Sequence, residues 1–149
     1  WSSDVCSSDL AIPLLVSFIP MLMDTGGNCG SQSSTLIIRG IALGEIQFSD
    51  LFRVMFKEFR VSLIVGVALA LANGIRILIM YKNAGLALVI GLSLVATIVI
   101  SKLIGCVLPL IAKKLHMDPA IMASPLITTL VDTCSILIYF NIATQVFQL

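Results

Sequence analysis

A run of polar residues interrupts an apolar stretch near the beginning of the chain. Residues 20–39, PMLMDTGGNCGSQSSTLIIR, carry one carboxylate at Asp24 and two amides at Asn28 and Gln32, with three glycines between them. Ionisable and amide groups at membrane depth cost several kcal/mol when unpaired, so they usually face a bundle interior or a water-filled path. Glycines lack a Cβ and let a partner helix or a hydrated ion approach the backbone. The stretch is therefore predicted to line a polar path through a membrane.

A second acid, Asp132, lies inside another apolar segment far along the chain. It stands thirteen residues after Pro119, which places it near mid-membrane if that helix spans the bilayer. Thr128, Thr129 and Ser135 share its helix face or border it, because residues three and four apart are neighbours on a helix. Threonine hydroxyls can simply bond to their own backbone, whereas a carboxylate at mid-span indicates function.

The two acids, the amides and the glycine backbone form an oxygen-rich set of groups. Such oxygens suit hard cations such as Mg²⁺, Ca²⁺ or Mn²⁺, whereas Zn²⁺ and copper prefer histidine and cysteine. The four cysteines are scattered without metal-ligand spacing, so they are interpreted as packing residues. Mg²⁺ gives up its waters reluctantly, so one or two carboxylates facing a hydrated ion are the expected arrangement. These residues predict a hard-cation pathway and leave a channel and a carrier both open.

The composition of the chain is that of a membrane protein. Of the 149 residues, 58% are hydrophobic and 11% are charged, and the mean hydropathy is +1.09. Soluble domains carry about 25% charged residues. The predicted fold class is an all-α polytopic transmembrane helical bundle, located in the cell membrane as a multi-pass protein. The net charge of +1 and the absence of a basic block give no indication of nucleic-acid binding.

Four membrane spans are predicted from the apolar runs, at residues 11–38, 61–80, 84–112 and 119–147. The first span is longer than the roughly 20 residues needed to cross the hydrocarbon. It contains Pro13, Pro20 and the glycine cluster, so a kinked or partly unwound helix is expected there. The short turn at residues 81–83 predicts a hairpin between the second and third spans.

The polar link between the first two spans, residues 39–60, differs in kind from the spans. Its aromatic and apolar residues fall at helical spacing beside several charges, which predicts an amphipathic helix at the membrane surface.

In the second span, Gly66, Ala70 and Gly74 recur every four residues and predict a face for close helix packing. Lys102 in the third span is expected either to pair with a buried acid or to extend to the headgroups.

The loops with more basic residues predict the orientation of the bundle. The links after the first and third spans contain six lysines and arginines: Arg39, Arg53, Lys57, Arg60, Lys113 and Lys114. The positive-inside rule places both links in the cytoplasm, with both ends of the chain outside.

Residues 1–10, WSSDVCSSDL, do not match the rest of the chain and are interpreted as a non-native segment, such as cloning or read-through sequence. The transmembrane ion-conducting domain is then 11–149, and it is expected to be a fragment that lacks one preceding span.

The segments PMLMDTGGNCGSQSSTLIIRGIALGEI and DPAIMASPLITTLVD, in this order and separation, resemble the membrane domain of the MgtE family of magnesium channels and transporters. The resemblance covers the chain from Ala11 to its C-terminus. It implies a homodimer in the lipid bilayer, with five spans per subunit and a pore along the dimer axis. The four predicted spans then correspond to spans two to five. The implied transported ion is Mg²⁺, with Mn²⁺, Co²⁺ and Ca²⁺ as further candidates.

The resemblance also implies roles for individual residues. Asp132 matches the pore acid that holds hydrated Mg²⁺, and Gly27 and Asn28 match the wall that the second span contributes to the same site. Thr128 and Thr129 lie near that site.

Two positions depart from the pattern of the family. Asp24 is an expected metal-site residue that stands where many members have a small residue. Where many members continue Asp-x-x-Gly, this chain has Asp132-Thr133-Cys134-Ser135. The packing of the backbone after Asp132 is expected to differ accordingly.

Two other functions are compatible with paired intramembrane acids. A proton-coupled cation carrier would use Asp132 as its relay. An intramembrane aspartyl protease also needs two acids, one protonated and one ionised, but Met23-Asp24 and Val131-Asp132 replace its usual Tyr-Asp and Gly-x-Gly-Asp contexts. The chain contains no P-loop, Gly-x-Ser-x-Gly or His-Glu-x-x-His motif, so it is predicted not to be an enzyme.

Overall fold

The computed structural model describes residues 13–119 and 125–147, and this part of the chain is helical without a strand. It contains four long helices, α1 Ile19–Ala42, α2 Leu51–Tyr81, α3 Ala84–Lys114 and α4 Pro125–Phe147. A short 3₁₀ helix, Phe48–Asp50, precedes α2. The predicted non-native segment 1–10 lies outside the described residues. So does most of the predicted start of the last span, at 120–124.

Helix α3 is the centre of the bundle, since it packs against α1, α2 and α4. Its buried residues recur along its whole length, from Leu86 to Ala112. One apolar cluster lies where the first turns of α1 and α3 meet the ends of α2 and α4, around Leu22, Ile90 and Tyr139. A second apolar cluster lies at the other end of the bundle, around Leu110. Small and polar residues occupy the level between these two clusters.

The hairpin between α2 and α3 confirms the turn predicted at residues 81–83. Lys82 adopts a left-handed conformation with φ 50° and ends α2. The side chain of Asn83 then accepts a hydrogen bond from the Leu86 backbone N–H at 3.1 Å, which caps the start of α3.

Two other helix ends are closed by backbone hydrogen bonds of the Schellman type. After α1, Gly44 has φ 75°, and the Glu45 N–H bonds to the Gly40 carbonyl at 2.9 Å. After α3, His116 has φ 57°, and the Met117 N–H bonds to the Ala112 carbonyl at 2.9 Å. His116 therefore terminates a helix, and its side chain is exposed.

The first span is broken next to Pro20, as expected, but the glycine cluster does not unwind it. Helix α1 runs without interruption from Ile19 through all its glycines to Ala42. The break lies earlier, at Phe18, because Pro20 has no N–H to continue the preceding helical turn at residues 13–17. The Tyr139 hydroxyl donates to the Leu15 carbonyl at this break over 2.8 Å.

The predicted surface helix is not a separate element. Helix α2 begins at Leu51 and continues through the whole second span to Tyr81. The apolar side chains at its start pack onto the cluster around Leu110, which favours one continuous helix. As a result, Glu58 belongs to a long helix and is buried.

Three helical segments are long and apolar enough to cross a membrane, namely Phe48–Tyr81, Ala84–Lys114 and Pro125–Phe147. Among the described helices, α1 does not meet the same criterion because of its polar middle.

Small residues set the closest helix contacts. A Cβ added at Gly66 of α2 would lie 3.2 Å from the Val95 Cα, and a Cβ added at Gly91 would lie 3.8 Å from the Ala70 Cβ. Gly74, which is predicted above to belong to the same packing face, has open space beside it. The tightest contact joins α1 to α3, where a Cβ on Gly105 would overlap the Gly30 carbonyl.

We predict that Gly105→Ala destabilises the bundle by about 1–3 kcal/mol, because the added methyl group must push α1 away from α3. The matched substitution Gly74→Ala should be neutral or stabilising by up to about 1 kcal/mol, since alanine favours the helix and meets no neighbour. Thermal unfolding of both variants in detergent measures the difference. Equal melting temperatures for the two variants would contradict the close contact of α1 and α3.

Candidate functional site

The polar residues of α1 divide into two opposite faces. Asp24, Asn28 and Gln32 are spaced four residues apart and lie on the same side of the helix, where all three are exposed. The opposite side is buried and consists mainly of small residues, including Gly26, Gly30, Ser33 and Ser34. One face of α1 therefore packs into the bundle, and the other remains uncovered by the described chain.

Gly27 lies at the border between these two faces and brings α1 against the candidate acid. A Cβ added at Gly27 would lie 3.5 Å from the Thr128 Cγ2 and 4.0 Å from an Asp132 carboxylate oxygen. These are ordinary van der Waals distances for a Cβ. The side chains of α4 therefore lie close to the α1 backbone at Gly27. The structure thus brings together three of the predicted site residues: Gly27, Thr128 and Asp132.

Asp132 itself is half-buried beside an open cavity of about 340 Å³. The cavity lies between α1 and α4 and is lined by Met23, Thr129, Asp132, Thr133, Ile136 and Leu137. No side chain or backbone donor within residues 13–119 and 125–147 bonds to the Asp132 carboxylate. The carboxylate therefore has its oxygens available to water or to a hydrated ion.

The threonines near Asp132 bond to their own helix. Thr128 and Thr129 both donate to the Pro125 carbonyl, over 3.1 and 2.8 Å, and Thr133 donates to the Thr129 carbonyl over 2.9 Å. The Thr129 hydroxyl oxygen still has a lone pair that can accept a hydrogen bond from a water molecule. Thr129 lines the cavity of Asp132, whereas Thr128 lies behind it against Gly27.

Two predicted site residues lie apart from the Asp132 cavity. Asp24 and Asn28 are exposed on the uncovered face of α1 and do not line the cavity. Within the described residues, no three side chains of histidine, cysteine, aspartate or glutamate come together as a metal cluster. One copy of the chain therefore offers single carboxylates and amides along an open surface. Such groups suit contact with a hydrated cation better than direct coordination of a bare one.

The buried face of α1 is held against α3 and α4 through its glycines. A Cβ added at Gly26 would lie 2.8 Å from the Thr97 Cγ2 and 2.9 Å from the Val131 Cγ1, closer than real Cβ atoms come. The Ser101 hydroxyl donates a hydrogen bond to the Gly26 carbonyl. These contacts place the α1 backbone directly on its neighbours, which a larger residue at Gly26 would prevent.

A buried triad of Ser33, Glu58 and Lys102 joins α1, α2 and α3. The Lys102 Nζ lies 3.1 Å from the Glu58 Oε2, and the Ser33 hydroxyl donates to the same oxygen over 2.6 Å. The Lys102 ammonium also donates to the Ser33 oxygen over 3.4 Å. Of the two expectations for Lys102, pairing with a buried acid is confirmed.

The sequence patterns did not place Glu58 in the interior. The charges around Glu58 indicated a surface helix, and one sequence contains no sign that links Glu58 to a lysine 44 residues away. The available signal was the unbroken helical spacing from Leu51 into the second span, which would have carried Glu58 into the bundle.

Comparison with known proteins shows which family this chain resembles. The family model named MgtE and described as a divalent cation transporter matches residues 19–142. The magnesium transporter MgtE of Bacillus subtilis is 42% identical over 130 residues, which are 87% of this chain and 29% of the relative. The magnesium transporter MgtE of Thermus thermophilus is 37% identical over 134 residues, or 89% of this chain and 29% of the relative. The chain thus spans less than a third of the length of these relatives.

We predict that the uncovered face of α1 meets water and that the exposed face of α2 meets lipid. Asn28→Cys should then react far faster with a charged, membrane-impermeant thiol reagent than Leu71→Cys, because the reactive thiolate forms readily only in water. Leu71 is a suitable control because it is 62% exposed in one copy of the chain. The measurement is the labelling rate of each variant in lipid vesicles, with the native cysteines replaced. Equal rates would contradict the assignment of the two faces.

Proposed function

The chain belongs to the MgtE family of divalent cation transporters, and we propose that it forms the part of a magnesium channel through which hydrated Mg²⁺ crosses the cell membrane. It is a multi-pass membrane protein with apolar helices long enough to span the bilayer. The observation that carries the proposal is the polar, uncovered face of α1, whose border at Gly27 lies against Thr128 and Asp132.

The outer surface of the bundle has two regions of opposite character. Helix α2 exposes a row of large apolar side chains, including Ile64 at 72%, Leu71 at 62% and Ile75 at 57%. The face of α1 at Asp24, Asn28 and Gln32 exposes a carboxylate and amides at a comparable depth along the bundle. Lipid accommodates the first region and strongly disfavours the second. The second region is therefore assigned to a water-filled path.

Helix α1 is proposed to cross the membrane as well, in addition to the three apolar segments, despite its low hydropathy. Its 24 residues are about 36 Å long at 1.5 Å per residue, which is enough to cross the roughly 30 Å hydrocarbon core. A helix that faces water on one side and the bundle on the other needs fewer apolar residues than one that faces lipid. The polar residues that lower its hydropathy are the ones assigned to the path.

A second copy of the chain is proposed to close the path. In a symmetric dimer the same surface of each subunit faces the axis, so two α1 faces and two Asp132 carboxylates would surround one channel. Two carboxylates opposite each other form a charged ring that attracts cations. Because Mg²⁺ keeps several of its waters, the ring can hold the ion through them.

Individual roles follow from the position of each residue. Asp132 supplies the negative charge, and the absence of a Cβ at Gly27 lets the α1 backbone lie close to it. Asn28 and Asp24 extend the polar lining along α1, where an amide and a carboxylate bond to the waters of a passing ion. The hydroxyl oxygen of Thr129 accepts hydrogen bonds from the same waters, and Thr128 packs against Gly27.

We predict that Asp132→Asn lowers Mg²⁺ uptake into proteoliposomes at least about tenfold, because the ring loses both its charges when the substitution occurs in each subunit. The matched control is Asp50→Asn, which removes a carboxylate from the start of α2, outside the proposed path. The control should keep the uptake of the natural sequence, with the membrane potential set and no pH gradient.

Three results would change the assignment. Unchanged uptake in Asp132→Asn would exclude Asp132 from the ion site. An equal loss in Asp50→Asn would show that the effect is not specific to the path. Uptake that follows an imposed pH gradient rather than the potential would replace the channel by the proton-coupled carrier.

A further inference from the structure

We propose that Glu58 and Lys102 are positioning residues for the ion path. Through Ser33 they set the rotation of α1 about its own axis, and this rotation keeps Gly27 against Asp132. The inference rests on the proposed function, because it explains how the face of α1 that carries the path is oriented.

Stability by itself does not account for the buried triad. Ser33 is fully buried, and Glu58 and Lys102 are 8% and 7% exposed, so both charges have left water. Well-packed apolar residues at such positions are often as stabilising as a buried ion pair, or more so. What charged and hydroxyl groups add is direction, because a hydrogen bond is strong only at the correct distance and angle.

Apart from the hydrogen bond from the Ser101 hydroxyl to the Gly26 carbonyl, the rest of the buried face of α1 restricts distance more than angle. Gly26 and Gly30 have no side chains, so they bring α1 close to its neighbours without interlocking with them. The Ser34 hydroxyl is buried on the next residue after Ser33 and has no hydrogen-bond partner in the described chain. Ser33 is the side chain at this level of α1 that makes a directed bond to other helices.

A small rotation of α1 is enough to disturb the site. Ser33 and Gly27 are six residues apart, which is about 9 Å along the helix and about 120° around it. They belong to one uninterrupted helix, so a turn at Ser33 turns Gly27 by a similar angle. A turn of about 30° displaces each Cα by about 1.2 Å, given a helix radius near 2.3 Å. That displacement is nearly a third of the 4.0 Å that would separate a Cβ on Gly27 from the Asp132 carboxylate.

The orientation of α1 can be measured without ions by a disulfide. A Cβ on Gly27 lies 4.0 Å from the Thr128 Cβ, within the roughly 3.5–4.5 Å that a disulfide requires. The pair Gly27→Cys and Thr128→Cys is introduced into the intact protein after the four native cysteines have been replaced by alanine. The rate of disulfide formation in lipid vesicles then reports how α1 faces α4.

Two neighbouring serines provide a matched test in this background. Ser33→Ala should lower the rate of disulfide formation about tenfold, since it removes a hydrogen bond to a charged group. Ser34→Ala removes the same atom from an equally buried residue without breaking a bond, and it should leave the rate unchanged. In the protein without the cysteine pair, Mg²⁺ uptake should fall in Ser33→Ala and stay the same in Ser34→Ala.

Charge exchange provides an independent check on Glu58 and Lys102. Glu58→Lys alone should slow disulfide formation, because it places two cations together. Adding Lys102→Glu restores an opposite pair beside Ser33, and it should recover much of the lost rate. Failure of the double variant to recover any of the rate would overturn the role of the pair.

The remaining outcomes separate the two proposals. An unchanged disulfide rate in Ser33→Ala, or an equal loss in Ser33→Ala and Ser34→Ala, would overturn the positioning role. If the natural sequence carries no Mg²⁺ while the disulfide rates follow the expected pattern, the proposed function fails and the role of Glu58 and Lys102 in orienting α1 is supported.

Discussion

A polar group within the hydrocarbon of a membrane must either bond to protein or face water, and this constraint governs the structure around α1. The buried side of α1 meets it with protein partners, since Ser33 bonds to Glu58 and the Gly26 carbonyl accepts from Ser101. The opposite side has no such partners in the described chain, and we propose that it faces water. The same helix is thus bound firmly on one side and left open on the other.

The bundle separates the parts that stabilise it from the parts that face the proposed path. Two apolar clusters, around Ile90 and around Leu110, hold the helices together at the two ends of the bundle. The level between them can therefore contain glycines, hydroxyls and an ion pair. Removing one partner of a buried ion pair costs about 3–5 kcal/mol, so Glu58 and Lys102 depend on each other. Helix α3 connects these levels because it contributes residues to both clusters and to the pair.

Much of this arrangement could be predicted from the sequence because it depends on local patterns. The hairpin at residues 81–83 and the apolar helices follow from turn chemistry and hydropathy. The role of Asp132 stays a prediction, which rests on the cost of a charge in lipid. The continuity of α1 through its glycines could not be predicted, because tertiary packing against Thr97, Val131 and Gly105 overrides the low helix propensity of glycine. The pairing of Glu58 with Lys102 depends on contacts between distant segments, which one sequence does not reveal.

The location of a bound ion in the assembled protein tests the central claim most directly. Mn²⁺ can replace Mg²⁺ in crystals of the intact protein, and its anomalous scattering marks its position. If Asp132 forms the ion site, a peak is expected between two copies of Asp132, farther from each carboxylate oxygen than the roughly 2.1 Å of direct Mg²⁺ ligation, because water stays between them. Mn²⁺ bound elsewhere along the membrane, with none beside Asp132 at saturating concentration, would contradict it.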